Sequence, residues 1–553
     1  MTERRSWDTE RASRAARLAR AKPFADGKHV DAARIAALLE AVLEPGDRVC
    51  LEGNNQKQAD FLAKTLASLD PSKVHDLHLL QSVVALPEHL DLFENGIASR
   101  LDFSFSGPQG ARMARLVGRN QVTIGAIHTY LELFARYFVD LTPKVALIAA
   151  QAADREGNLY TGPNTEDTPA IVEATAFKSG IVVAQVNEIV DGPTARLARI
   201  DIPSDWVDFY VASPTPHYIE PLFTRDPALI SEIQVLMAML VIKGIYAEYG
   251  VDRLNHGIGF DTAAIELLLP TYAESLGLKG KICRHWALNP HPALIPAIEA
   301  GFVESVHSFG SELGMERYVA ARPDVFFTGA DGSMRSNRAF CQAAGHYACD
   351  LFIGSTLQVD LAGNSSTATV DRITGFGGAS NMGADARGRR HASETWLKAG
   401  REANHAGSIP RGRKLVVQTV ETYREHMEPA FVETLDAWRL AETAGMALPP
   451  VMIYGDDVSH VVTEEGIANL LLCRDADERE QAIRGVAGYT PVGLGRDRRA
   501  VENLRDRGVI RRPEDLGVDK RDATRDLLAA RSIKDLVRAS DGLYDPPKRF
   551  RNW

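Results

Sequence analysis

Apolar residues in this chain gather in runs of two kinds. Val145 to Ala150 is continuously apolar, and Ile181 to Val186 is broken only by Gln185. A strand covered on both faces by helices reads this way, because neither face meets water. Arg48 to Leu51 and Thr367 to Ile373 read as further strands. So does Val451 to Tyr454, which runs into the turn Gly455-Asp456-Asp457. Between them, Ala32 to Leu43, Ile230 to Tyr246 and Ile265 to Leu276 carry a helical pattern, with Glu274 expected on the solvent side. The alternation predicts an α/β fold with mostly parallel sheets, and ligands at the carboxyl ends of the strands or between domains. At 553 residues the chain needs more than one core.

The pattern also repeats. Asp47-Arg48-Val49 returns as Asp252-Arg253-Leu254, and Glu94-Asn95-Gly96-Ile97 as Glu299-Ala300-Gly301-Phe302, both after 205 residues. Asp154-Arg155-Glu156-Gly157-Asn158 returns after 206 residues as Asp360-Leu361-Ala362-Gly363-Asn364. A looser match pairs Phe103-Ser104-Phe105-Ser106-Gly107 with Val306-His307-Ser308-Phe309-Gly310. Three ordered matches at one spacing indicate two homologous domains, too long for solenoid units. The expected division is 1–24 as an N-terminal extension, 25–240 and 241–480 as the domains, and 481–553 as a helical tail. In the tail, Ser532 to Asp535 reads as a capping box, and the Arg and Asp content predicts a solvated surface or a docking arm. Glu94-Asn95-Gly96 reads as a helix end with glycine at C′.

A net charge of −10 argues against a nucleic-acid partner. The five cysteines, Cys50, Cys283, Cys341, Cys349 and Cys473, form no C-x-x-C pair and read as buried thiols of a reducing compartment. The Arg-rich start, Met1 to Lys22, contains Glu3, Asp8 and Glu10, which a transit peptide avoids, so it reads as an exposed helix. No apolar run is long enough for a membrane span. A cytoplasmic protein is expected.

Candidate chemistry sits on loops. Gly375-Phe376-Gly377-Gly378-Ala379-Ser380-Asn381 follows a strand-like stretch, so its backbone N–H groups can approach an anion or a carbonyl, although glycines also serve plain turns. Glu52-Gly53-Asn54-Asn55-Gln56 follows Arg48 to Leu51 and is rich in amide donors. Its counterpart is Asn255-His256-Gly257-Ile258-Gly259, which lacks the rest of a dinucleotide fingerprint. Arg284-His285-Trp286 and Asn289-Pro290-His291 form a polar, aromatic pair of segments, and no third ligand at recognised spacing makes His285 and His291 a metal site. Arg112, Arg284 and Arg372 stand beside these loops as candidate carboxylate partners or as structural ion pairs.

These residues carry a resemblance. Ala149 to Asn158, a strand running into Asp-x-x-Gly, resembles the coenzyme A transferase signature. Gln358 to Asn364 followed by Gly375 to Gly378, and His460-Val461-Val462-Thr463-Glu464-Glu465-Gly466-Ile467-Ala468, resemble the acetyl-CoA hydrolase/transferase group. Within that group the stretches Glu52 to Asp60, Phe103 to Arg119 and Ala379 to Arg390 are similar to the malonate decarboxylase α-subunit family.

The resemblance implies two tandem coenzyme A transferase-like domains and an acyl-carrier-protein transferase within a multisubunit complex. The reaction would be acetyl-S-carrier plus malonate giving malonyl-S-carrier plus acetate. The thiol would belong to a 2'-(5''-phosphoribosyl)-3'-dephospho-CoA group on a carrier-protein subunit, with decarboxylation left to further subunits. The implied catalytic positions are Gly377, Gly378, Asn54 and Asn55. Glu52, Gly53, Arg284, His285, His256 and Gly257 would line the acyl site. Gly375, Gly377, Gly378, Ala379 and Asn381 would receive the prosthetic group. Glu464 follows a strand and is expected to hold loops together. The alternatives are a free coenzyme A transferase or acetyl-CoA hydrolase, a transferase of the citrate lyase α kind, or a scaffold. The group's glutamate nucleophile is expected in Gly280 to Ala287, which holds no carboxylate. Direct attack of malonate on the thioester is therefore expected, as in the scheme attributed to citrate lyase α.

Overall fold

The computed structural model describes residues 7–54, 57–162, 164–194, 197, 199–289, 291–308, 310, 312–327, 338–385, 392–405, 411–551 and 553, with the side chains of 54, 223 and 338–341 left aside. The first sheet has seven principal strands: β1 (Arg48–Leu51), β2 (Leu77–Val83), β3 (Ala98–Phe105), β4 (Thr123–Ile127), β5 (Val145–Asp154), β6 (Ile181–Val190) and β7 (Phe209–Ala212). Their order is β7-β6-β5-β1-β2-β3-β4, and every pairing among them is parallel. A short strand, Leu159–Tyr160, returns antiparallel on β5. The apolar run in β5 serves two cores. Val145, Leu147 and Ala149 enter one, and Ala146, Ile148 and Ala150 the other. That two-sided burial is the reason the run lacks alternation.

The second sheet contains β8 (Arg253–His256), β9 (His285–Leu288), β10 (Ser305–Ser308), β11 (Leu351–Ser355), β12 (Leu415–Thr419), β13 (His460–Thr463), β14 (Gly466–Asn469) and β15 (Ile510–Arg511). Its order is β10-β9-β8-β11-β12-β13-β14-β15. Read from the other edge, β13-β12-β11-β8-β9-β10 repeats β7-β6-β5-β1-β2-β3 strand for strand. The repeated motifs occupy equivalent turns. Asp154 Oδ1 accepts from Asn158 N at 2.8 Å and Oδ2 from Asn158 Nδ2 at 2.9 Å, while Asp360 takes Asn364 N and Nδ2 at 2.9 Å each. Gly157 and Gly363 close these turns at φ +89° and +85°, which favours glycine. Gly96 and Gly301 follow the helices Pro87–Glu94 and Ile295–Glu299 at φ +76° and +74°, the C′ position expected.

Three stretches depart from expectation. Thr367 to Ile373 is a turn closed by one antiparallel bridge, Ala368 to Ile373, and not a strand. Val451 to Tyr454 makes only an isolated bridge, Ile453 to Ser365. Both stretches carry apolar residues because Ala368, Ile373, Met452 and Ile453 enter the first core, so periodicity alone misassigns them. The charged end of the chain is helical at Ala476–Val486, Arg498–Asp506 and Ile533–Ala539, yet it is not a free solvated tail. It adds β15 to the second sheet, and Val518, Leu528, Ile533, Leu536 and Tyr544 enter the second core.

The N-terminal helix, Trp7–Ala21, is mostly exposed, but Arg17 is buried and donates to Asp47 and to Val42 O. Glu274 is exposed, as read from the sequence. Cys50, Cys283 and Cys349 are buried free thiols and Cys473 is partly so, while the Cys341 side chain lies outside the described residues. No described helix is long and apolar enough to cross a membrane.

Candidate functional site

The two sheets meet at the carboxyl end of β3. Ser106 N donates to Thr374 O at 2.7 Å, and the Ser104 carbonyl accepts from Phe376 N at 2.6 Å and Gly377 N at 2.9 Å. A short antiparallel bridge, Phe105 to Gly375, therefore carries the glycine loop across from the second half. Gly375 sits at φ +81°, and a Cβ there would stand 2.5 Å from Ser104 O and 3.0 Å from Phe105 Cα. The first glycine of the motif is thus required by backbone against backbone.

The loop's donors are not equivalent. The N–H groups of Phe376 and Gly377 are spent on Ser104, and that of Ala379 on Phe376 O. Gly378 N has no acceptor among the described residues. Beside it stands Gln342, whose amide a Cβ on Gly378 would strike. The Asn381 carboxamide nitrogen reaches Gln342 Oε1 at 2.9 Å and Gly378 O at 3.2 Å. Tyr130 contributes from the first half, with its N–H on Gly377 O at 3.2 Å and its ring against Gly377. Gly377, Gly378 and Asn381 are thus brought together with Gln342 and Tyr130, and Ala379 begins the short helix behind them.

The first sheet changes direction of winding between β1 and β5, where an open α/β sheet leaves a crevice. Glu52 fills it. Its carboxylate accepts from Ala149 N at 2.9 Å and from the Thr168 hydroxyl, and lies 3.3 Å from Lys57 Nζ. Lys57 also donates to Thr165 O at 3.1 Å. Burial raises the Glu52 pKa, with Lys57 and the hydrogen bonds opposing. Glu52 is therefore a structural tie and does not present a free carboxylate. The segment it anchors reaches the second half, where the Glu166 carboxylate occupies the space a side chain at Gly310 would need. Gly53 is walled in too, since a Cβ would meet Val83 O at 2.8 Å and Gln58 Oε1 at 2.9 Å.

The second sheet's equivalent crevice lies between β8 and β11. Gly257 N donates to Ile353 O at 2.7 Å, and a Cβ on Gly257 would stand 3.1 Å from Gly354 Cα. His256 is buried with Nε2 2.7 Å from Tyr246 OH and Nδ1 2.9 Å from Glu266 Oε1, and His291 Nε2 lies 3.0 Å from Glu266 Oε2. Burial drives the His256 pKa down against the pull of Glu266. Burial would raise the Glu266 pKa, but His291 and His256 more than offset it. His256 supports the crevice from behind. Asp261, at the start of the helix Phe260–Leu268, accepts from Ser355 Oγ at 2.8 Å and from the Thr419 hydroxyl.

Other expected residues lie elsewhere. Arg284 and His285 stand at the amino end of β9, opposite the crevices, where Arg284 Nη2 donates to Asp252 Oδ2 at 2.7 Å and His285 Nδ1 lies 2.9 Å from Ser305 Oγ. The polar, aromatic pair of segments is thus split by its strand, with Asn289 and His291 at the carboxyl end. Arg112 is held by Asp91 at 2.5 Å and Glu94 at 2.7 Å. Cys283 is buried at the same amino edge, and burial pushes its thiol well up. Glu464 ties Thr422 N at 3.1 Å, the loop-holding role its place suggested. Asn54 lies in a short hairpin strand with its side chain outside the described residues, as is the whole of Asn55. The described residues hold no group of three metal-ligating side chains.

Sequence reasoning missed Gln342, Tyr130 and Asp261. Only the recurrence of the Ser104 and Ser308 segments hinted that the ends of β3 and β10 matter. Nothing local marks Gln342, which reaches Gly378 through tertiary packing.

Two matched open sheets with a glycine loop bridging their carboxyl ends define a tandem-domain transferase fold of the coenzyme A transferase kind. The α subunit of citrate lyase from Streptococcus mutans, solved with citrate, shares it at a TM-score of 0.58 and 15% identity, covering 94% of this chain and 87% of that one, a likeness of fold alone. The family described as "Malonate decarboxylase, alpha subunit, transporter" matches residues 6–553, and the chain belongs to it. It is 61% identical over 552 residues to the acetyl-S-ACP:malonate ACP transferase of Malonomonas rubra, covering 99% of this chain and 98% of the relative. A Pseudomonas malonate decarboxylase hetero-tetramer solved with malonate contains a chain with 61% identity and a TM-score of 0.94, at 99% coverage of each.

Proposed function

We propose that this chain exchanges acetate for malonate on the thiol of an acyl carrier protein, as the α subunit of a malonate decarboxylase. Near-complete alignment at 61% identity with a relative named for that reaction supports the reading. The geometric observation that carries it is the unshared N–H of Gly378, set between the two sheets beside Gln342 and Asn381. Such a donor suits the oxyanion formed when a thioester carbonyl is attacked.

The exchange runs without a glutamyl enzyme. A malonate carboxylate oxygen attacks the acetyl thioester carbonyl, the C–S bond breaks, and an acetyl-malonyl anhydride and the carrier thiolate result. The thiolate then attacks the malonyl carbonyl, giving malonyl thioester and acetate. The chain supplies positioning and oxyanion stabilisation. Buried carboxylates of the crevices support this scheme, because each is engaged: Glu52 by Lys57 and Thr168, Glu266 by His256 and His291, Asp261 by Ser355 and Thr419. The carrier's group is read as 2'-(5''-phosphoribosyl)-3'-dephospho-CoA, and the partners as the carrier and decarboxylase subunits. We read the chain as divided into domains at 25–240 and 241–480, with the reaction between them.

The test sets acetylated carrier against free acetyl-CoA as the donor to malonate, with borohydride added during turnover. Carrier-dependent exchange with no reduced glutamate is expected. Exchange from acetyl-CoA at the carrier's rate, or a reduced glutamate on peptide mapping with loss of activity, would overturn it.

A further inference from the structure

Away from the glycine loop, a buried run of charge crosses the edge of the first sheet. Asp102 of β3 is 1% exposed, and His128, just past β4, is fully buried. Asp102 Oδ1 lies 2.7 Å from His128 Nε2, and Oδ2 lies 2.7 Å from Nε2 of His78 on β2. A Cβ on Gly125 of β4 would collide with this carboxylate, so the glycine makes room for it. On its other side, His128 Nδ1 lies 3.2 Å from Glu132 Oε1. Burial would raise the Asp102 pKa, but the two imidazoles more than offset it and hold it below the usual carboxylate range. Burial would lower the His128 pKa, but Asp102 and Glu132 more than offset it, and the net shift is upward. Three further charges face the network: Arg100, 3.8 Å from Asp102, and Arg136 and Asp140, paired with each other.

The network stands at the root of the helix Tyr130–Val139. Thr129 Oγ1 caps that helix by accepting from Glu132 N at 3.1 Å, which fixes Glu132 in the first turn. One residue past Thr129, Tyr130 N donates to Gly377 O at 3.2 Å. That carbonyl belongs to the same peptide unit as the Gly378 N–H. The unit is planar and trans, so its N–H points opposite to its C=O. Whatever holds the Gly377 carbonyl therefore aims the open Gly378 donor.

We propose that His128 is a positioning residue for the exchange: held between Asp102 and Glu132, it sets Tyr130 and, through the Gly377 carbonyl, the direction of the Gly378 N–H. The inference rests on the transferase reading. When protonated, the ring donates toward both carboxylates. When neutral, it keeps one proton, which Asp102 holds on Nε2, and turns the Nδ1 lone pair toward Glu132. Attraction at the first turn of the helix then becomes repulsion, and Tyr130 shifts with that turn. Carboxylate attack on a thioester and return of the thiolate transfer no proton, so the chemistry itself adds no basic limb to kcat.

The pH profile of carrier-dependent exchange tests this, together with amide hydrogen exchange of the peptide Gly375 to Met382 read by mass spectrometry. In the unmodified protein kcat should fall as pH rises through the raised His128 pKa, while the malonate KM stays level. Asp102→Asn should move that fall about one pH unit or more downward, because the anion that favours the proton is gone. Glu132→Gln should shift it the same way by less. At a pH between the original and the shifted fall, both variants should exchange the loop amides about threefold faster or more, the order expected from one partly exposed ion pair. Peptides from the far edge of the second sheet serve as the reference. Glu132 is half-exposed, so Glu132→Gln decides alone if Asp102→Asn does not fold. A level kcat in the unmodified protein, a fall unmoved in Glu132→Gln, or unchanged loop exchange in that variant overturns the proposal. Faster loop exchange without acyl exchange at any pH defeats the transferase reading and leaves the coupling of His128 to Gly378 standing. Acyl exchange with unchanged loop protection defeats the coupling alone.

Discussion

The Ser104 carbonyl accepts the Gly377 N–H at 2.9 Å, so one oxygen in the first half holds the glycine loop of the second. The loop is positioned by main chain from both halves, and its geometry survives only while they stay in contact.

Gly375→Ala should loosen that contact. The new Cβ would stand 2.5 Å from Ser104 O at a φ of +81°. A loss of about 1–3 kcal/mol is expected from a strained non-glycine residue, read by urea unfolding. Unchanged stability would mean the bridge is not tight.

Gly378→Pro in a Gln342→Ala background removes the unshared N–H while giving the ring room. Its φ of −89° is near the range proline adopts. The exchange kcat should fall by about 100-fold relative to Gln342→Ala, the order expected for losing one oxyanion donor. A folded double variant with the rate of Gln342→Ala would remove Gly378 from the chemistry.

Arg284→Lys should leave the malonate KM unchanged. Its guanidinium is committed to Asp252 at 2.7 Å on the amino side of the sheet. A tenfold rise in KM, with normal stability, would return Arg284 to the acyl site.

Acid should destabilise the fold through His89 and His460, each pushed down by burial to a pKa of about 3. Unfolded histidine takes its proton near pH 6.5. Between that pH and about 3 the unfolded chain binds protons the folded chain refuses. The contribution is therefore full above pH 6.5 and is lost as pH falls, at up to about 1.4 kcal/mol per pH unit for each group. His89→Asn keeps an acceptor for Leu86 N and cannot titrate. Its urea midpoints between pH 7 and 5 should fall less steeply than those of the unmodified protein, and parallel slopes would contradict the assignment.

Much of the fold is readable before any coordinate. The two-sided apolar run of Val145 to Ala150 and the paired Asp-x-x-Gly-Asn turns depend on local chemistry: burial on both faces, and a carboxylate taking the N–H four residues on. Such features recur wherever their residues recur, so the repeat displayed the matched sheets in advance. The glycine loop was visible as a motif for the same reason. Which of its N–H groups remains open was not, because Ser104 lies 273 residues before Gly377 and selects the donor only once the halves meet. Arg284 and His285 adjoin the carboxyl-end segment in sequence, but one strand carries them to the opposite edge of the sheet. Gln342 and Asp261 have no local signature, since each takes its role from residues distant along the chain. Sequence alone determined the elements and their repetition, because hydrophobic period and turn chemistry act over a few residues. Tertiary packing decided which donors, charges and cavities remain open, because that depends on partners distant along the chain.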